Sequence, residues 1–206
     1  GNYDTTYYVN LAASNGCGTI NYMDSVRVYP QPIVNFGTNV DDGCSPLEIE
    51  FSNISYGGPN TYQWFIDGNF IASDSSIQNQ IFTTSDTDIT TYTITLLAEN
   101  FCGTDTLEEL ITVYPPNVEA FISVDTTSGC QPLTINFDNF STPGATVTWD
   151  FGDGNGSSLA NSVHTFDSSG IFTVVQYASN CGTDTDTVEI EVLPAPEVSF
   201  SHVPYV

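Results

Sequence analysis

The sequence has almost no positive charge. Among its 206 residues Arg27 is the only Lys or Arg, against 25 Asp and Glu, and the formal net charge is −24. Nucleic acids and anionic lipid surfaces bind through clustered cations, so the composition excludes both as electrostatic partners. The absence of lysine also excludes intramolecular Lys–Asn isopeptide bonds.

Long hydrophobic runs are missing as well. No segment approaches the roughly 20 apolar residues of a membrane helix, so we expect no direct membrane insertion. Residues 1–20 lack the basic start and apolar core of a signal peptide. We expect any export signal or anchor to lie outside this sequence.

Catalytic groups are scarce. His164 and His202 have no second His or Cys at metal-ligand spacing, and no Ser or Thr lies in a nucleophile elbow. Asp150 and Asp153 could form an acid–base pair, but the neighbouring glycines favour a turn whose carboxylates accept backbone hydrogen bonds. We therefore predict no enzyme and no cofactor. Calcium stays open, because acidic pairs offer oxygen ligands: Asp41, Asp42, Asp86, Asp88, Asp184 and Asp186.

What dominates the sequence is a repeat of one small domain. An Asn shortly before Cys-Gly-Thr recurs around Cys17, Cys102 and Cys181, at intervals of 85 (102 − 17) and 79 (181 − 102) residues. Such a period predicts a window on a longer tandem array. The predicted boundaries are 1–31 for the C-terminal part of a first repeat, 32–116 for the second repeat, 117–196 for the third repeat and 197–206 for the first strand of the next.

Each repeat has the pattern of a β-sandwich. Apolar residues alternate, as in Tyr92, Ile94, Leu96 and Ala98, and about seven short strands are separated by Gly, Pro, Asn, Asp and Ser clusters. Trp64 and Trp149 occupy equivalent strand positions, which favours core tryptophans over exposed sugar-stacking ones. We predict an all-β chain of tandem immunoglobulin-like sandwiches in an extended array.

The cysteines recur with the repeat. Cys44 and Cys130 precede Cys102 and Cys181 by 58 (102 − 44) and 51 (181 − 130) residues. This spacing predicts the disulfides Cys44–Cys102 and Cys130–Cys181, with Cys17 bonded to a cysteine upstream. Such bonds indicate an oxidising, extracellular setting; the alternative is free buried thiols in a reducing cytosol.

A motif in the third repeat identifies a family. The run Trp149-Asp150-Phe151-Gly152-Asp153-Gly154, followed by His164-Thr165-Phe166 and Phe172-Thr173-Val174, closely resembles the PKD (polycystic kidney disease) domain over residues 117–194. The second repeat keeps Trp64 and Asp67-Gly68 and resembles a degenerate copy. The resemblance implies an immunoglobulin-like extracellular spacer, or a module that contacts proteins or sugars, without catalysis of its own.

Further features resemble a narrower group. The Gly-Cys-x-Pro-Leu openings at 43–47 and 129–133, the cysteine pairs and the lack of lysine are similar to repeats of giant surface adhesins from Bacteroidetes-type bacteria, exported by type IX secretion. This resemblance implies a bacterial cell-surface location, a role in attachment or gliding motility, and extracellular protein or polysaccharide ligands. Five Asp-Ser/Thr-apolar segments resemble the O-glycan acceptor motif of such proteins: Thr5, Ser25, Thr106, Thr126 and Thr187.

Alternatives remain at this point. Asn53, Asn139 and Asn155 fit the N-glycan sequon, which matters only in a eukaryotic source. The leading hypothesis is a nonenzymatic stalk or adhesive filament. An accessory region of a secreted hydrolase is a second possibility, and a glycan-binding array with exposed aromatics at Tyr56, Tyr62 and Tyr114 is a third.

Overall fold

A computed structural model describes residues 4–200. All regular structure in that range is β-strand, which confirms the predicted all-β class, and no helix there is suited to crossing a membrane. The chain forms two compact units. Unit 1 comprises Gly1–Thr83 and Thr90–Val113, and unit 2 comprises Thr84–Ile89 and Tyr114–Val206.

Unit 1 opens with a hairpin of β1 (Thr5–Asn15) and β2 (Gly18–Val28). The two strands pair along their whole length, from Thr5↔Val28 to Asn15↔Gly18. The Asn15 side chain accepts a hydrogen bond from the Cys17 N–H (2.9 Å), which closes the tip of the hairpin. Both faces of the hairpin are exposed, and Arg27 forms an ion pair with Asp4.

The rest of unit 1 is the sandwich of the second repeat. Its strands are β3 (Phe36–Thr38), β4 (Asp42–Cys44), β5 (Leu47–Ile49), β6 (Phe51–Asn53), β7 (Thr61–Ile66), β8 (Asn69–Ala72), β9 (Gln80–Phe82), β10 (Thr90–Asn100) and β11 (Gly103–Tyr114). One sheet has the order β4-β11-β10-β7-β8, and the strand pairs β3-β6 and β5-β9 complete the fold. Trp64 on β7 and Ile94 and Leu96 on β10 are fully buried between them, because alternate residues of a strand face the same side of the sheet.

Unit 2 contains the sandwich of the third repeat. Its strands are β12 (Ile122–Val124), β13 (Ser128–Cys130), β14 (Leu133–Asn139), β15 (Thr146–Asp150), β16 (Gly156–Ser157), β17 (Ser162–Phe166), β18 (Gly170–Ser179) and β19 (Thr183–Leu193). A five-stranded sheet, β13-β19-β18-β15-β16, faces a three-stranded sheet, β12-β14-β17. Phe137, Trp149 and Phe166 lie in the core between them.

Of the predicted strand at 197–206, the structure describes residues 197–200. These residues have no regular structure, and Val198 and Phe200 are 96% and 90% exposed. No strand among the described residues pairs with this segment, and an extended segment needs a partner for its backbone groups. Residues 201–206, including His202, lie outside the described residues.

Candidate functional site

The tryptophan of the PKD-like motif is a core residue. Trp149 is 3% exposed on β15, and its indole N–H donates to the backbone carbonyl of Leu159 (2.9 Å). Trp64 occupies the same place in the second repeat and donates to the carbonyl of Asp74 (3.2 Å). Burial of both rings leaves neither tryptophan exposed for sugar stacking.

The residues after Trp149 form a tight loop held by its own carboxylates. Asp150 Oδ1 accepts from the Gly152 N–H (2.9 Å), and Asp153 Oδ1 accepts from the Asn155 N–H (3.0 Å). Gly152 has φ 75°, and a Cβ at this position would lie 2.6 Å from the carbonyl oxygen of Thr173. Only glycine fits there, because a side chain would meet both backbone strain and a collision.

His164 links this loop to β17. Its Nε2 lies 2.7 Å from Asp153 Oδ2, and its ring stacks on Phe151 with the ring centroids 4.1 Å apart. Burial alone would raise the pKa of Asp153, but hydrogen bonds from His164 and Asn155 outweigh it and hold the pKa below its ordinary value. The contacts of the imidazole therefore join the loop to the sandwich.

Two of the calcium candidates, Asp184 and Asp186, accept hydrogen bonds from backbone N–H groups. Asp184 Oδ2 accepts from the Ala120 N–H (2.8 Å), and Asp186 Oδ2 accepts from the Ile122 N–H (2.9 Å). These bonds fasten the opening segment of the third repeat to β19. The Ala120 N–H, followed by that of Thr185, holds the pKa of Asp184 below its ordinary value.

An equivalent hydrogen bond occurs in the second repeat, where Asp105 Oδ2 accepts from the Val34 N–H (2.8 Å). Another calcium candidate, Asp41, contributes its backbone carbonyl to the Thr112 N–H (2.9 Å) beside the exposed Asp42. Within residues 4–200 no three His, Cys, Asp or Glu side chains are grouped so as to hold a metal ion.

The predicted disulfides within each repeat are wrong. Cys102 and Cys130 are free thiols, as is Cys17, whereas Cys44 and Cys181 are disulfide-bonded. In the third repeat Cys130 pairs with Leu193 at the end of β19, whereas Cys181 precedes the start of that strand at Thr183. Ten residue steps at about 3.3 Å place the two cysteines roughly 33 Å apart, far beyond the roughly 4–7 Å between Cα atoms in a disulfide.

The glycosylation candidates differ in exposure. Thr5, Ser25, Thr106 and Thr187 are exposed on long strands of the two units. Thr126 is half-buried, and its hydroxyl donates to the Ser128 carbonyl (2.9 Å).

Two N-glycan sequons instead form structural turns. Asn53 Oδ1 accepts from the Ser55 N–H (3.0 Å), and Asn139 Oδ1 accepts from the Ser141 N–H (3.0 Å). The Asn53 amide also donates to the Ser75 carbonyl (2.9 Å). These Asn-x-Ser segments therefore have a purely structural reason to recur. Asn155, in the third sequon, is exposed on the PKD-like loop.

The aromatic candidates for glycan binding have different surroundings. Tyr56 is 39% exposed and forms a β-bridge with Ile33. Tyr62 is half-buried against the core of the second repeat, and Tyr114 is half-buried in unit 2.

Sequence reasoning missed a buried polar network in the third repeat. Gln176 is fully buried, accepts from the Ser141 hydroxyl (3.0 Å) and donates to Asn139 Oδ1 (2.9 Å). The network could have been found from the alternation of β18, because Gln176 lies on the same face of the strand as the core residues Val174 and Ala178. The amide is satisfied by the Asn-x-Ser turn, as a buried polar group must be.

The PKD-domain family model matches residues 113–192, so this part of the chain is similar to PKD domains. No curated protein matches the sequence. Among solved structures, the I-band fragment I67–I69 of titin is 14% identical over 81% of this chain and 67% of its own, with a TM-score of 0.50. DIP-gamma IG1+IG2 is 15% identical over 82% of this chain and 99% of its own, with a TM-score of 0.45. Murine CEACAM1b is 14% identical over 78% of this chain and 100% of its own, with a TM-score of 0.42.

Proposed function

We propose that this chain is part of a nonenzymatic extracellular stalk or adhesive filament, in which successive immunoglobulin-like repeats hold a binding end away from a bacterial cell surface. Domains of this kind occur commonly in adhesion and extracellular proteins and are typically non-catalytic. The bonded cysteines fit an oxidising compartment. Fold alone does not assign function, so the proposal depends on how each repeat is built.

The observation that best supports this proposal is the path of the chain, which enters each complete repeat at one end and leaves it at the other. In unit 1 the incoming chain lies against the β10–β11 tip, where the Asn100 amide donates to the Pro30 carbonyl (3.1 Å). The chain leaves after β11, at the opposite end of a 12-residue strand. In unit 2 the incoming chain passes the β18–β19 tip, since a Cβ on Gly182 would lie 3.9 Å from Val118 N. Within each of these two repeats the chain therefore enters and leaves at opposite ends of the sandwich.

The surface suits a filament that stays apart from its neighbours. The net charge of −24 opposes lateral association of identical chains, and the single Arg leaves trypsin-like proteases one basic site. O-linked glycans on the exposed Thr5, Ser25, Thr106 and Thr187 would add to this protection. We propose extracellular proteins or polysaccharides as ligands.

Surface labelling tests the location and role together. An antibody raised against the 206-residue chain is expected to label intact, non-permeabilised source cells, and its Fab fragment is expected to reduce attachment or gliding. A Fab against an unrelated surface protein is the control. Labelling that appears only after permeabilisation would overturn the proposal.

Fractionation of secreted proteins separates this function from the alternative of a hydrolase accessory region. The same antibody is expected to capture a long polypeptide of repeats without polysaccharide- or protein-degrading activity. Co-purification of such an activity in the same polypeptide would favour the accessory role.

A further inference from the structure

Two exposed phenylalanines lie opposite each other on the outer face of the third repeat. The β12–β14 ladder pairs Ile122 with Asn139. Its register continues one residue further, because the Phe140 N–H donates to the Phe121 carbonyl (3.0 Å). Residues opposite each other in an antiparallel pair project from the same face of the sheet. Phe121 is 55% exposed and Phe140 is 66% exposed, so the pair presents apolar surface to solvent.

Carboxylates adjoin this pair. Glu119 and Phe121 are exposed on either side of the buried Ala120, so their side chains share the outer face. Glu119, the two phenylalanines and Asp86 line a cleft of about 620 Å³, and all the residues that line it belong to unit 2. Neither carboxylate takes part in an ion pair within residues 4–200. The cleft therefore combines aromatic rings with carboxylates that no cation of the described chain neutralises.

The second repeat has the same backbone arrangement without the aromatic pair. The Ile54 N–H donates to the Asn35 carbonyl (2.9 Å), as Phe140 does to Phe121. In both repeats the serine hydroxyl of the Asn-x-Ser turn accepts from the first residue of this pair (3.0 Å and 3.1 Å). Asn35 and Ile54 thus stand where the third repeat has Phe121 and Phe140. The sandwich does not require phenylalanine at either position, so a role in binding accounts better for their exposure.

We propose that this cleft binds an arginine side chain of a partner protein. The planar guanidinium stacks on aromatic faces and donates paired hydrogen bonds to carboxylates, and Phe121, Phe140 and Glu119 offer both kinds of group. A lysine ammonium is a more strongly hydrated point charge and suits such a site less well. The net charge of −24 also draws a basic partner towards the chain.

The arginine comes from a different protein. Arg27 is the only Lys or Arg of this sequence, and it already forms an ion pair with Asp4. The site therefore names a class of partner for the adhesive role, an extracellular protein that exposes an arginine. That assignment rests on the proposed function, whereas arginine binding itself is measured on the purified chain.

An NMR titration of the purified 206-residue chain tests the site. The probe is the blocked peptide acetyl-Gly-Arg-Gly-amide, compared with the peptides in which citrulline or lysine replaces arginine. We expect the arginine peptide to cause saturable shifts in the amide resonances of residues 119–123 and 138–142. Citrulline has nearly the shape of arginine but no charge, so its peptide is expected to bind about 10-fold more weakly. The lysine peptide is also expected to bind more weakly.

Substitutions at the cleft are compared with matched controls. Phe121→Ala and Phe140→Ala are each expected to weaken binding of the arginine peptide about 3-fold, because each removes one aromatic face. Glu119→Gln is expected to weaken it about 5-fold, because the charge-assisted hydrogen bonds are lost. Ile54→Ala, at the equivalent place in the second repeat, and Glu189→Gln, at an exposed carboxylate on β19, are expected to leave the affinity unchanged.

Several results would overturn the proposal. These are the absence of saturable shifts at residues 119–123, shifts spread over the whole acidic surface, and equal affinity for the arginine peptide and either of the other two. Cellohexaose is the glycan probe, and shifts at these residues with cellohexaose but not with arginine would make the cleft a sugar site instead. Failure of surface labelling would overturn the proposed function without changing the titration, so the two proposals fail separately.

Discussion

The second and third repeats each have a tryptophan at an equivalent position of their five-stranded sheets. They differ in the segment that follows the tryptophan along the chain. After Trp149 the chain forms the Asp150–Gly154 loop, which is joined to His164. After Trp64 it continues to Ile66 and turns at once through Asp67 (φ 49°) and Gly68 (φ 74°) into β8. In both repeats the indole donates to a loop carbonyl ten residues later. Both repeats therefore share the hydrogen-bonded tryptophan, whereas the chain that follows it forms an acidic loop in one repeat and a tight turn in the other.

The cores differ at one equivalent position as well. Leu96 pairs with Trp64 and Gln176 pairs with Trp149, and both are fully buried. An apolar side chain fills the position in the second repeat, whereas in the third an amide is satisfied by Asn139 and Ser141. A sandwich accepts either solution when the buried polar atoms have partners.

The largest effect is expected from removing the core tryptophan that both repeats share. Trp149→Ala should lower the free energy of unfolding of the third repeat by about 3–5 kcal/mol, and Trp64→Ala should do the same for the second, because each leaves a large core cavity. The chain has two tryptophans, so the one that remains reports fluorescence from the unmutated repeat during denaturant unfolding. Circular dichroism monitors both. If both transitions shifted together, the repeats would unfold as one cooperative unit.

A smaller effect should distinguish the loop at Gly152 in the third repeat from the turn at Gly68 in the second. Gly152→Ala should cost the third repeat about 2–4 kcal/mol, because strain at positive φ adds to a collision with the Thr173 carbonyl. Gly68→Ala should cost the second about 1–2 kcal/mol, because its space is open and only the strain remains. Denaturant midpoints give both values. Gly154→Ala, with φ 90° and open space in the same loop as Gly152, is the matched control, and an equal cost at 152 and 154 would contradict the collision.

The smallest effect is expected at the contact between Asp153 and His164 in the third repeat. Asp153→Asn should cost about 1 kcal/mol at pH 7, because it weakens the bond to His164. The folded-state pKa of Asp153 is depressed, so its contribution is present above the unfolded value near about 4 and is lost as pH falls through the folded value. Unfolding at pH 7, 5 and 3 should show the gap between wild type and variant closing at the acidic end.

A double-variant cycle checks the cause of that effect. In a His164→Gln background the Asp153→Asn substitution should cost less than it does in the wild-type chain. A gap that is independent of both pH and His164 would mean that the pair contributes nothing to the stability of the loop.

Much of the sandwich could be predicted from the sequence, because alternation and turn residues act locally. The burial of Ile94, Leu96 and Ala98 could be inferred directly from that pattern. The disulfides could not be predicted in the same way. Spacing along the chain counts residues, whereas a disulfide depends on where strands end, and one long strand separates the two cysteines of a repeat. The backbone partners of Asp184 and Asp186 could not be predicted for a related reason, since residues 120 and 122 are distant from them in sequence.

The buried Gln176 also limits how the third repeat can change during evolution. Its amide has partners only while Asn139 and Ser141 are present, so replacing either with an apolar residue would leave part of a buried polar group unpaired. These three positions are therefore expected to change together, whereas Leu96 in the second repeat can be exchanged for another apolar residue alone.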